Sequence, residues 1–393
     1  MSTPGALTHS RTHALPFHLI TGEYPPQRGG VADYTRVLAH GLAAAGREVH
    51  VWAPGTGGGE SGVRVHPVAG FGRAGRAGLG RELDRFPAPR TLVVQYAPRA
   101  FGMHGMNVGF CRWVLGRARA GDDVRVMFHE PYFPFGWPRP QRNLLAVASR
   151  VMAMLLLRAA RRAYVSTPAW ETLLRPWAPR GLGRMRWLPI PSSVPRVDDP
   201  EGVAVLRARL RGGDPASHVV AHFGTYGNLV ARLLEPALLA ILSPPSRAVA
   251  LLLGEGGPAF AARLEHANPA LRGRIAAPGW LPPERLSIHL QASDVAVQPY
   301  PDGASSRRTT LMAALANGAP AVTTGGRFTE ELWRGGPLPL APAGDPGAVA
   351  VAVLDLLDDR ERRARVGREG RAFYARHFSL ERTIDALLAP EDD

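Results

Sequence analysis

Apolar residues recur at Val31, Tyr34, Leu38 and Leu42, three or four positions apart and ahead of Gly46. That spacing predicts a helix over about 31–45 with one apolar face. An apolar run ends just before it near Thr21, and another opens at Val49, so the chain begins strand, loop, helix, strand. Gly29 and Gly30 stand where the loop enters the helix. A glycine pair there is either an ordinary turn or a place where backbone N–H groups meet an anion or a sugar.

The pattern continues in the same style. Valine-rich runs at 91–96 and 124–129 read as buried strands, 142–161 as a long helix, and 163–167 and 185–190 as the closing strands of a first half. The proline-rich stretch at 189–195 breaks the pattern and predicts a hinge. A second half then starts at 219–223. It runs through a helix at 229–242 and strands at 249–253, 274–276, 295–298 and 321–323. The expected fold class is α/β, with two doubly wound Rossmann-like domains facing across a cleft. Residues 1–190 would form the first domain and 191–372 the second, with 373–393 returning to the first through a last helix at 380–388. Packing of that tail as a plain terminal helix is the alternative. Ligands of such folds sit at the carboxyl ends of parallel strands, and cleft closure would exclude water from a reactive donor.

Length and composition refine this picture modestly. The 393 residues are comfortable for two domains, and the apolar share of 45% is ordinary for a globular protein. All 47 basic side chains are arginine, because lysine is absent, and the net charge is +14. Such charge attracts anions. No zinc-finger spacing or ribonucleoprotein motif accompanies it, so a nucleic-acid partner is not expected. The single cysteine, Cys111, excludes an internal disulfide and a cysteine-rich metal site. The apolar run at 151–157 is too short to span a bilayer. A soluble, cytoplasmic protein is expected, with peripheral membrane contact left open and the oligomeric state unread.

Several residues stand where chemistry would occur. His129 and Glu130 follow a buried strand, and Tyr132, Phe133, Phe135 and Trp137 follow them. The histidine either orients a ligand or serves structure, the glutamate either acts on substrate or bonds backbone, and the aromatic residues either line an acceptor pocket or fold a lid over core. Gly224 and Thr225 form either a phosphate-binding turn or a plain one. Arg307 and Arg308, in Ser305-Ser306-Arg307-Arg308-Thr309-Thr310, offer planar charged forks for a diphosphate or else a solvated pair. Gly325, Gly326, Glu330 and Glu331 occupy the next strand-to-helix loop, where an acid would bond a ligand hydroxyl or cap the helix.

The order of Gly22-Glu23-Tyr24-Pro25-Pro26-Gln27-Arg28-Gly29-Gly30-Val31-Ala32-Asp33-Tyr34, Gly279-Trp280-Leu281-Pro282-Pro283-Glu284, the run at 292–300 and the run at 312–324 resembles family-four glycosyltransferases of the two-Rossmann-domain (GT-B) type. The resemblance covers nearly the whole chain. It implies a retaining enzyme that takes a nucleoside-diphosphate sugar as donor substrate, with no other cofactor and no metal ion. The nucleotide would lie mainly in the second domain and the acceptor in the first. Gly30 would approach the donor, and His129 would touch its sugar. Donor contacts are expected from Gly29, Gly30, Gly224, Thr225, Ser305, Ser306, Thr309, Gly326, Glu330 and Glu331. Glu130 and Tyr132 would meet substrate, and His129, Arg307 and Arg308 would act in catalysis.

Two departures stand out. The family's paired glutamates fall at Ser305 and Ala313, which supply no carboxylate, and its usual arginine and lysine are missing after Phe223. Arg307 and Arg308 are expected to take over the diphosphate. The implied activity is glycosyl transfer to a hydroxyl or amine of a glycan, aminocyclitol or lipid-linked acceptor, in secondary-metabolite or cell-surface glycan biosynthesis. A sugar-phosphate acceptor is an alternative. Another is a noncatalytic carbohydrate-binding or assembly protein.

Overall fold

The computed structural model describes residues 15–55, 57–136 and 140–390. Trp137, one of the aromatic residues expected near an acceptor, lies outside them. The described residues divide between two compact units, one within Met1–Tyr164 and Pro176–Arg186, the other within Val165–Arg175 and Trp187–Asp393.

In unit 1, β1 (Phe17–Thr21) leads into α1 (Gly30–Ala44) and β2 (Val49–Ala53). A hairpin of β3 (Gly58–Glu60) and β4 (Val63–Pro67) comes next. Then follow α2 (Arg73–Leu83), β5 (Thr91–Tyr96), α3 (Val108–Arg119), β6 (Asp123–Phe128), α4 (Pro140–Ala159) and β7 (Arg162–Val165). The short α5 (Pro168–Leu174) belongs to unit 2, and β8 (Arg186–Trp187) completes the first sheet. Its eight strands run in the order β3-β4-β2-β1-β5-β6-β7-β8. The registered pairs β1–β2, β1–β5, β2–β4 and β5–β6 are parallel, whereas β3–β4 is antiparallel. Burial of both faces explains why β1, β2 and β5 are buried at every position rather than alternating. Periodicity gave no sign of the hairpin or α2: all three residues of β3 are exposed, and α2 buries only Gly75, Leu79 and Leu83.

Unit 2 holds α6 (Pro200–Leu210), β9 (Val219–Phe223), α7 (Asn228–Leu242), β10 (Val249–Leu253), α8 (Gly257–Ala267), β11 (Ile275–Gly279), α9 (Pro283–Ala292) and β12 (Val295–Gln298). It continues with α10 (Thr309–Ala316), β13 (Ala321–Gly325), α11 (Glu331–Arg334), β14 (Leu340–Pro342), α12 (Pro346–Asp358), α13 (Arg360–His377) and α14 (Leu380–Leu388). The sheet order is β11-β10-β9-β12-β13-β14, and every registered pair is parallel. Leu234, Leu238 and Ile241 of α7 pack into one core with Val220, Ala250 and Leu252, and each leucine so buried contributes about 2 kcal/mol.

The division differs from the contiguous one expected. Residues 165–175 join unit 2, where Thr167 bonds Glu330 and Trp170 packs on Phe328. Residues 373–390 also group with unit 2. Phe378 is buried against the Trp333 ring at 5.2 Å, Ser192 N donates to the Tyr374 hydroxyl, and Thr383 Oγ1 donates to the Pro189 carbonyl. No helix of the described residues is long and apolar enough to cross a membrane. Cys111 is buried in α3, and burial pushes its thiol far up.

Unit 1 stacks a column of buried and half-buried histidines on neighbouring strands. Register places His18 beside His50, and the His50 and His66 rings stack at 5.1 Å. Trp52 Nε1 donates to His18 Nδ1 at 3.2 Å, so the proton of the neutral ring sits on Nε2. A second proton would evict that donor. Burial, reinforced by His50, His66 and Arg90, pushes His18 down to about 3, and burial also lowers His50 and His66. Buried His222 is lowered to about 4. These depressed values have a signed consequence: between the ordinary 6.5 and the folded value, the unfolded chain binds protons that the folded chain refuses. This contribution to stability is therefore complete above pH 6.5 and falls as the pH drops, by roughly tenfold in the folding equilibrium per pH unit for His18 and for His222 until the folded value is approached. The urea midpoint should drop between pH 7.5 and pH 5.0, and His18→Gln should flatten the drop. An unchanged slope in that variant would show that His18 does not contribute.

Candidate active site

The turns after β9, β12 and β13 adjoin one another in unit 2, because those three strands are neighbours. Gln298 Nε2, at the end of β12, donates to the Phe223 carbonyl at the end of β9. Thr324 Oγ1 binds the backbone of Tyr300 in both directions, accepting from its N–H at 2.8 Å and donating to its carbonyl at 2.6 Å. The turns themselves then touch. Gly303 has a φ of +91°, and a Cβ there would lie 2.4 Å from Gly326 N; a Cβ on Gly326 would lie 2.7 Å from the Asp302 carbonyl. Gly326 therefore supports contact between two loops, and its N–H donates to Thr329 Oγ1.

This junction fixes the arginine pair. Arg307 Nη2 donates to Asp302 Oδ2 at 2.6 Å, and Arg308 Nη2 bonds the other oxygen of the same carboxylate. The Arg308 guanidinium also lies over the Tyr300 ring at 4.4 Å, and that of Arg307 over the Trp170 ring at 5.2 Å. Both arginines are only about 19% exposed, so neither is a solvated surface fork. They immediately precede Thr309, the first residue of α10, where the helix macrodipole is positive. Burial pushes the neighbouring Tyr300 hydroxyl up to about 12, which keeps it neutral.

Glu330 is the fastener of the same turn. Its Oε1 accepts from Thr167 Oγ1 at 2.7 Å and from Ser306 N at 3.0 Å, and it lies 2.6 Å from Ser306 Oγ. The Trp187 indole N–H also reaches Ser306 Oγ. Ser306 and Glu330, both expected to meet the donor, thus spend their polar atoms on each other. Glu331 instead points outward, 92% exposed, 3.7 Å from Arg334. Ser305 is buried, with an Oγ that finds no hydrogen-bond partner among the described residues, and Ala313 is packed in the core. A pocket of about 460 Å³ opens beside Glu330, walled by Thr172, Trp187, Arg327 and Phe328.

At the end of β9 the Gly224 N–H, expected to face phosphate, belongs to the sheet, donating to the Leu253 carbonyl at 3.1 Å. Thr225 stands next to it, exposed. His222, just upstream, has Nδ1 2.8 Å from the Val297 carbonyl, which assigns the proton to Nδ1. Its buried Nε2 finds no partner among the described residues.

In unit 1 the elements expected to meet substrate also converge. His129 Nε2 lies 2.8 Å from Gln95 Oε1, so that nitrogen carries the proton, and its ring meets the Tyr34 ring of α1 edge-on at 4.8 Å. Burial pushes His129 down to about 3, leaving a neutral imidazole at ordinary pH. The helix entry is partly occupied: Glu23 Oε1 accepts from Ala32 N and lies 2.7 Å from where a Gly29 Cβ would be. Gly30 is exposed, and a Cβ there would meet nothing within 4 Å. Glu130 is exposed. Tyr132 and Phe135 each take the Arg150 guanidinium on a ring face at 4.1 Å, so this loop is folded onto α4. Among the described residues, no three or more His, Cys, Asp or Glu side chains gather to hold a metal ion.

Residues 219–359 match the family model described as "Glycosyl transferases group 1". No curated protein matches the chain. Among solved structures, the fold is similar to sucrose-phosphate synthase from Thermosynechococcus elongatus, at 19% identity and a TM-score of 0.71, covering 95% of this chain and 97% of that one. Anabaena HepE, solved with UDP and glucose, is 14% identical with a TM-score of 0.70, covering 95% and 98%. An α,α-trehalose-phosphate synthase from Burkholderia vietnamiensis is 14% identical with a TM-score of 0.65, covering 95% and 99%. The second half thus matches a glycosyltransferase family model, within a GT-B fold of two parallel-sheet Rossmann-like units.

Proposed function

We propose that the chain transfers a sugar, with retained anomeric configuration, from a nucleoside-diphosphate donor held by unit 2 to a hydroxyl or amine acceptor taken by unit 1. The observation that carries this reading is the Arg307–Arg308 pair set ahead of α10 and held by one carboxylate, Asp302. Two guanidinium groups set ahead of a helix amino end, where the macrodipole adds positive potential, suit a diphosphate. In the reaction the bond from the anomeric carbon to the diphosphate oxygen breaks, and the acceptor oxygen or nitrogen bonds that carbon on the same face. The acceptor proton passes to the departing phosphate oxygen, so no protein base is required. The arginines stabilise that oxygen as its charge grows, in the role a divalent cation would otherwise fill.

His129, neutral and aligned by Gln95, orients a sugar hydroxyl. Thr225, Ser305 and Thr309 supply polar contacts to the donor, while Ser306 and Glu330 shape the turn that carries the arginines. Gly30 leaves space beside the helix entry that no described residue fills, and the donor approaches there. A sugar phosphate as acceptor is a second reading, favoured by the names of two structural neighbours, sucrose-phosphate synthase and trehalose-phosphate synthase. A donor-by-acceptor screen that includes sugar phosphates, with mass detection and anomeric assignment, tests both. Product of inverted configuration, or none with any donor, would defeat the proposal.

Three variants probe the parts. Arg307→Ala or Arg308→Ala should cost on the order of 2 kcal/mol in transition-state stabilisation at the better-placed residue, roughly thirtyfold in turnover; full activity in both would remove the pair from the site. Gly30→Ala should leave the melting temperature close to that of the native chain and depress transfer, and normal transfer would show that no ligand approaches there. His129→Ala should weaken transfer much more than nucleotide affinity measured by calorimetry. Because the folded imidazole titrates near pH 3, the native rate profile should carry no His129 limb between pH 5 and pH 9. A limb near pH 6.5 that disappears in the alanine variant would contradict the neutral role.

A further inference from the structure

On the side of unit 2 remote from these turns, at the amino ends of β9, β12 and β13, lies a groove of about 1000 Å³. His218, Asp294 and Pro320, each at or next to the residue that opens one of these strands, form its floor. One wall is α6 and the residues just after it, including Arg207 and Arg211. The other is a single face of α13, where Arg360, Arg363, Ala364, Gly367, Arg368 and Arg371 recur at helical spacing. Arg196 joins them from the segment before α6.

Seven arginines line this groove against two carboxylates, Asp198 and Asp294. Asp294 is already committed, bonding Arg211 Nη2 at 2.7 Å and the Val219 N–H at 2.8 Å. Other arginines are held in place by backbone. Arg207 donates to the carbonyls of Gln291 and Ala292, and Arg363 to those of Leu356 and Leu357. These carbonyls orient the forks without neutralising them. Burial together with Arg371 lowers the Arg196 guanidinium, and burial with Arg211 and Arg363 lowers that of Arg207. Like charges are thus crowded in a concave, partly dehydrated place, an arrangement that a bound anion relieves.

We propose that this groove is a second anion site, separate from the donor turns, that takes a compact, multiply charged phosphate-bearing ligand. Its volume is that of a small-molecule pocket, and its charges converge from two helix faces instead of spreading over a flat surface, which favours a short oligophosphate over a membrane or a nucleic-acid strand. The inference does not depend on the glycosyl-transfer reading.

Calorimetric titration of the full chain with inorganic tripolyphosphate, at fixed ionic strength, tests it. Binding should weaken about tenfold or more in the Arg368→Glu/Arg371→Glu variant, whose two positions are exposed on α13. The binding event lost in that variant should persist, within about twofold, in Arg307→Ala/Arg308→Ala, which would remove only a separate event at the donor turns. On the native protein, which needs no variant to fold, tripolyphosphate should protect Arg368 and Arg371 from phenylglyoxal, as mapped by mass spectrometry. Unchanged affinity in the reversal variant, loss of all tripolyphosphate binding in the donor-turn variant, or absence of protection would each overturn the site. So would a groove that ignores tripolyphosphate yet binds phosphatidylglycerol vesicles or single-stranded DNA through the same arginines.

Discussion

The close approach of two turns in unit 2, at Gly303 and Gly326, is the constraint on which the candidate active site rests. Side chains at either position would collide with backbone, so the turns after β12 and β13 could not meet as they do. Their contact is sealed by Phe328 N donating to the Asp302 carbonyl and by Ala304 N donating to that of Thr324. Asp302 is thereby fixed, and with it the arginines it holds. Glu330 is anchored from the other turn and grips Ser306. Small residues and buried hydrogen bonds, more than any one charged group, set where the charge sits.

That arrangement has a cost for anion binding as well as a benefit. A guanidinium already paired with Asp302 has less to offer a phosphate than a free one, yet a free one would have to give up its rotamer freedom on binding. Holding both forks in place before the ligand arrives lowers the ordering cost. One carboxylate shared between two guanidinium groups reduces the attraction for an anion less than a carboxylate on each would.

Much of the fold was legible because buried parallel strands write themselves as short valine- and leucine-rich runs. The expected strands at 219–223, 249–253 and 295–298 match β9, β10 and β12 residue for residue, and the last helix coincides with α14. The β3–β4 hairpin was illegible because it buries almost nothing. Of the site, the loops were readable and the bonding was not. Thr167 lies 163 residues from Glu330 in the chain, and no local pattern announces such a partner. Gln95 was more accessible to reasoning, as a polar residue inside an otherwise apolar strand, and so was His222 just before the glycine turn. The mistaken expectation for the Gly224 N–H has a simple cause: a glycine after a strand was read as already outside the sheet, whereas the β-ladder extends one residue further.

The burial of Cys111 reaches beyond packing. Its thiol is fully enclosed and its ionisation strongly disfavoured, so it is a poor nucleophile toward maleimides and methanethiosulfonates. Because it is the chain's sole cysteine, a new cysteine placed on any exposed position would be the sole fast-reacting thiol without first removing the native one. Two such positions, one on each unit, would accept a pair of fluorescent or spin labels. The protein is therefore already suited to spectroscopic measurement of the distance between two chosen positions.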